Sequence, residues 1–148
     1  MLVADQVCSP EQAQFFDSVG IKLHSTFLWL SFFDRDQVSE QRGVKQWAAV
    51  DLCDCWMQYS GNSRYRELKQ YKAYNGTELG MMLPPLHQTL KRDNGLFTCS
   101  IATYPVGVHT HPTEARAKGA LLQLLIEKGH LTVAQLLATT NLTALGGS

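Results

Sequence analysis

Neither sign of charge is in excess in this chain. Thirteen lysines and arginines face thirteen aspartates and glutamates, and the formal net charge at pH 7 is zero. A balanced chain exerts no broad pull on nucleic acid or on an anionic membrane, so either partner would need a local patch. Long apolar runs are missing as well: "TFLWLSFF" falls far short of the ~20 residues that a membrane-spanning helix needs. The opening "MLVADQVCSPEQ" carries no basic leader and meets Asp5 before an apolar run can build, so no secretory signal is expected and the expected location is cytoplasmic. Cysteine is sparse, at Cys8, Cys53, Cys55 and Cys99. In a reducing compartment these are expected as free thiols, and Cys53 and Cys55 lie too close together for an easy bridge. Standard catalytic signatures are absent too: no phosphate-cradling GxxxxGKS/T, no GxSxG elbow, no dinucleotide fingerprint, no HExxH and no CxxC. The expectation is a protein that is not an enzyme, with no catalytic residues, no cofactor and no metal.

What is present is globular. Apolar residues make up 45% of the 148 and charged ones 18%, enough for one domain with its own core, expected over residues 1–145. The last three residues, "GGS", are either native or an appended tail. Ser9 and Pro10 set up a first helix with Glu11 at its positive end, and Gly20 stops it. "STFLWLSFFD" reads as a strand buried on both sides, because its apolar run is continuous. "RDQVSEQRG" is expected as a loop, "VKQWAAVDLCDCWMQY" as a strand followed by a turn, and "SGNS" as a turn. Thr77 is the expected cap of a short helix that ends at Pro84 and Pro85. "HQTLKRDNG" should hold another helical turn and a tight turn at Asn94-Gly95, and "LFTCSIATYP" a strand. Thr113 then caps a helix with Ala117, Leu121, Leu124 and Leu125 on one face, ended by Gly129, and Thr132 starts a last short helix. This order predicts an α+β fold, a small antiparallel sheet with helices packed on one face.

With "TELGMMLP" mid-chain and "TEARAKGALLQLLIEKG" near the end, the chain resembles a loose group of small α+β proteins encoded by phages, prophages and gut bacteria, largely without assigned function. The matching pieces are residues 77–84 and 113–129; residues 35–74 depart from the pattern. The resemblance implies a mobile-element origin and supplies no catalytic residues.

Four stretches bear on chemistry. His109 and His111 would point to one side of an extended segment, as two ligands of a zinc ion do, but a site needs three or four, and the candidates for the others are Cys53 and Cys55, or His87. The ordinary reading is a solvated loop; a metal-dependent enzyme using His109 and His111 is kept as an alternative. Cys53 and Cys55 fit small buried hydrophobes better than a soft-metal pair or a nucleophile. The last two helices have the rhythm of a helix-turn-helix, yet no basic reader helix follows, so duplex DNA is an unlikely partner and a DNA-binding regulator a second alternative. The richest polar stretch is "SRYRELKQYKAY", where Arg64, Arg66, Lys69 and Lys72 interleave with Tyr65, Tyr71 and Tyr74. Guanidinium and ammonium groups hold phosphates, and aromatic faces stack on bases. As a helix this stretch would set Tyr65, Lys69 and Lys72 on one face with Arg66 near Lys69, and as a strand it would set Tyr65, Glu67 and Lys69 along one side; its ordinary reading is a solvated amphipathic element. With the resemblance, it points to a non-enzymatic binding protein that sequesters a host protein or a nucleotide-like ligand in a counter-defence or accessory role. Pairing into a homo-oligomer through a sheet edge or the last helix is also open, and no membrane is expected as a partner.

Overall fold

A computed structural model of the chain describes residues 2–36, 43–101 and 110–139. After a 3-10 turn at Val3–Asp5, helix α1 (Pro10–Ser18) starts on a full capping box. Ser9 Oγ accepts from the Gln12 N–H at 3.1 Å, and Gln12 Oε1 accepts from the Ser9 N–H at 2.9 Å. Gly20, at φ +95°, turns the chain out of the helix in a conformation that side chains resist.

Strand β1 (Phe27–Asp34) is the centre of a three-stranded antiparallel sheet, with β2 (Gln46–Asp51) on one side and β3 (Tyr65–Ala73) on the other. Both faces of β1 are covered, as its unbroken apolar run requires. One face carries Phe27, Trp29, Ser31 and Phe33; the other carries Leu28, Leu30 and Phe32. Between β2 and β3 the chain makes a helical turn, α2 (Leu52–Asp54), that runs into a π-helical turn at Cys55–Tyr59. The expected strand and turn are both found here, but the turn is two helical turns long. It covers the second face, where Leu30, Phe32, Val50 and Cys55 form a small cluster with Tyr59, Tyr65 and Leu68.

The main core lies on the first face. Trp29 and Ala73 meet Phe16 of α1, Leu79 and Met82 of α3 (Gly76–Met82), and Leu121, Leu122 and Leu125 of α4 (Glu114–Glu127). Helices therefore pack on one face of an antiparallel sheet, an α+β fold. The leucine stripe of α4 is turned inward as expected, with Leu122 buried and Leu124 only partly so. Tyr74 is fully buried; its hydroxyl accepts from the Leu23 N–H at 3.0 Å and lies 3.3 Å from the carbonyls of Ile21 and Leu23. The Trp29 indole N–H donates to the Cys8 carbonyl at 2.8 Å.

Three expectations change. The strands form two sheets rather than one: β4 (Gln88–Lys91) and β5 (Phe97–Ser100) make a separate hairpin, so "HQTL" is a strand where a helical turn is expected. The cap of α3 is Asn75 rather than Thr77. Asn75 Oδ1 accepts from the Glu78 N–H at 2.8 Å while Glu78 Oε1 accepts from the Asn75 N–H at 2.9 Å, a reciprocal pair that Thr77 cannot make with a residue one position on. Finally, β3 carries a bulge, with consequences for the site. The tight turn before β5 is as expected, with Gly95 at φ +81°. Helix α5 (Val133–Thr139) follows Thr132, whose Oγ1 accepts from the Gln135 N–H at 3.1 Å. Among the described residues no helix is long and apolar enough to cross a membrane.

Candidate functional site

β3 pairs with β1 in regular register from Ala73 to Lys69, opposite Phe27 to Ser31, and then slips. Arg66 pairs with Phe33 and Tyr65 with Asp34, so three steps along β3 answer two along β1. The extra residue is absorbed at Glu67, which takes a left-handed φ of 54°. In an unbroken strand Arg66 and Lys69 would face opposite ways. The bulge places both on the helix-bearing face of the sheet, and it places Tyr65 on the other.

The expected cluster therefore divides. Arg66, Lys69 and Tyr71 share one face. Tyr65 lies on the opposite face, its ring 4.8 Å from Phe32 and 4.7 Å from Tyr59, and Lys72 faces the same way opposite Leu28. The expectation that Tyr65 and Lys69 line one side is thus corrected by the slip. Arg64 precedes the strand and is already occupied: its Nε donates to Asp34 Oδ1 at 2.8 Å and its Nη2 to Asp34 Oδ2 at 3.0 Å. This two-pronged bond to a buried carboxylate raises the guanidinium's hold on its proton still further. Arg64 acts as a structural clamp at the sheet end.

The face shared by Arg66, Lys69 and Tyr71 gains partners from β1 and β2 that their own stretch does not reveal. Reading across the sheet, Ser31 lies between Trp47 and Lys69, and Trp29 between Ala49 and Tyr71, while Phe33 pairs with Arg66 and lines a pocket with Lys45, the residue before β2. Lys45 Nζ stands 6.0 Å from the centre of the Trp47 ring, Trp47 is 5.8 Å from Tyr71, and Trp29 meets Trp47 edge-on at 6.3 Å. The α-helices cover the Trp29 end of this grid. The other end opens into a pocket of ≈ 380 Å³ lined by Phe33, Lys45, Glu67, Leu68 and Lys69. In the middle sits Ser31, 1% exposed, whose hydroxyl has no hydrogen-bond partner. Two cations, Lys45 and Lys69, thus line a pocket with the Phe33 ring and the Glu67 carboxylate, Arg66 pairs with Phe33 at its edge, and the Trp47 and Tyr71 rings lie alongside. Lys45, Phe33 and Trp47 are functional candidates that sequence reasoning misses, because only the strand register brings them beside Lys69.

The remaining stretches are not drawn into a site. Cys53 is exposed, with its Sγ 3.5 Å from Met57 Sδ, whereas Cys55 is buried in the second cluster, near Gln70 and Ser60. The pair divides because one thiol faces outward and the other inward. Cys8 is buried, and its thiol is pushed up to about 12 by that burial, which disfavours the thiolate a nucleophile needs. His109 lies outside the described residues. The main chain of His111 pairs with Phe97 in both directions at 2.8 Å, extending the small hairpin. Among the described residues no group of three or more His, Cys, Asp or Glu is placed to hold a metal ion. Lys118 of α4 is bound to Glu114 at 3.0 Å and to the Gly76 carbonyl at 3.2 Å. Comparison with protein families, with curated proteins and with solved structures finds no match to this chain.

Proposed function

We propose that the protein is a non-enzymatic binding protein that sequesters a nucleotide-like anion on the open end of its three-stranded sheet. The observation that carries this reading is the bulge at Glu67, which turns Arg66 and Lys69 to the same side as Lys45 around Phe33. Lys45, Arg66 and Lys69 would hold phosphate oxygens, and Phe33 and Trp47 offer flat faces to a base. Each charge-assisted bond contributes about 1.5–3 kcal/mol and a stacked base about 1–3 kcal/mol, set against the cost of association. A mobile-element origin and a counter-defence role belong to the same proposal, and phage or defence genes beside the coding sequence would support them.

The duplex-DNA reading has less behind it, because Lys118 on α4 is committed within the fold. The test is calorimetry, with Trp fluorescence in parallel, against nucleoside mono- and diphosphates, cyclic nucleotides and short single-stranded oligonucleotides. Saturable binding that weakens with salt, and that Lys69→Glu weakens about tenfold, about 1.4 kcal/mol, is the expected result. No binding across the set, or binding unchanged in Lys69→Glu, would overturn it.

A further inference from the structure

The sheet has two outer strands, and they are built differently. β3 is guarded against pairing: its bulge breaks the ladder, and Arg66, Glu67, Lys69 and Lys72 put charges along it. β2 is charged only at its last residue, Asp51. From Gln46 to Val50 it carries no charge, no proline and no bulge, and among the described residues only β1 pairs with it. The turn Val3–Asp5 lies against β2, with Val3 and Ala4 packed into the main core, and no backbone hydrogen bond joins the two among the described residues.

The ends of β2 are complementary to each other. Lys45 precedes it and Asp51 closes it, three positions either side of Ala48. One step further out, Val44 is 48% exposed and Leu52 is 54% exposed. Beyond Leu52, on the turn that follows, Trp56 and Met57 are 77% and 73% exposed. An antiparallel pairing of β2 with itself about Ala48 sets Lys45 opposite Asp51 and Val44 opposite Leu52, at both ends at once. Shifting the two-fold to Trp47 or Ala49 loses both matches.

We propose that β2 pairs with β2 of a second copy, antiparallel about Ala48, to form a symmetric dimer with one continuous six-stranded sheet. The two-fold axis stands perpendicular to the sheet, so the basic and aromatic faces of both copies lie on the same side. Opposite charges close the two ends, and the exposed Val44 and Leu52 leave water together.

Sedimentation velocity and light scattering on the whole chain test this. The expected result is a species of twice the 16.5 kDa chain mass. Leu52→Glu and Val44→Glu, both at exposed positions, should each give a monomer with an unchanged circular dichroism spectrum. Asp51→Lys should also give monomer, and adding Lys45→Asp to it should restore the dimer. A wild-type chain that stays monomeric at its highest soluble concentration would overturn the proposal. So would a dimer that survives both glutamate variants, or a charge swap that fails to restore it.

Discussion

The Gln12 side chain ties α1 to α4. It closes the capping box of α1 and also donates from Nε2 to the Arg116 carbonyl of α4 at 3.0 Å. The crossing is possible only because position 119 has no side chain: a Cβ there would lie 2.6 Å from Gln12 Oε1. This predicts a change of sign. Gly119→Ala should destabilise the wild type by about 1 kcal/mol, because it displaces a bonded amide. In a Gln12→Ala background the same change should stabilise by up to about 1 kcal/mol, the helix-propensity gain alone. A double-mutant cycle by urea denaturation measures both. A second residue-scale prediction concerns the thiols. Exposed Cys53 should react with a maleimide in the native protein, and buried Cys8, Cys55 and Cys99 should not. Burial raises Cys8 from 9.0 to about 12 and also raises Tyr74 above its usual value of 10.0, so the native state keeps protons that the unfolded chain releases. Stability should therefore be full below pH 9 and fall as pH climbs from 9 toward 12, read from urea midpoints across that range.

At the scale of elements, what the sequence makes legible follows from how local each signal is. Ser9-Pro10, Thr113 and Gly129 announce helix ends by bonds that span three or four residues, and the observed helices begin and stop there. Thr77 misleads because Asn75, two positions earlier, finds Glu78 at the capping-box spacing and Thr77 does not. "HQTL" becomes a strand only because "FTCS" lies opposite it, a pairing that no local pattern encodes. The bulge in β3 is the hardest feature to foresee, since a left-handed residue is usually glycine and here it is glutamate. That exception is testable. Glu67→Gly should keep the bulge, relieve the strain and stabilise by about 1 kcal/mol. Deleting Glu67 should remove the bulge yet leave Arg66 opposite Phe33, on the face it shares with Lys69, with nucleotide affinity unchanged within about twofold by calorimetry. A tenfold loss after the deletion would contradict this placement of Arg66.

For the whole molecule, a net charge of zero conceals an uneven distribution. Asp34 and Glu114 are tied to cations in the fold, while Lys45, just before β2, and Arg66 and Lys69 of β3 lie toward the open end of one face. The stretch at residues 64–72 was legible as basic and aromatic; its division between two faces was not, because strand register decides it. The same register brings Trp47 and Phe33 into the site and leaves β2 as the unguarded edge. The most direct measurement is a heteronuclear NMR titration of the chain with the tightest nucleotide found by calorimetry. Shifts should concentrate on Phe33, Lys45, Lys69 and the Trp47 indole, and leave Arg64, Tyr65 and Lys72 unmoved. Shifts centred on the opposite face, or on α4 and α5, would contradict the assignment of this face as the binding surface.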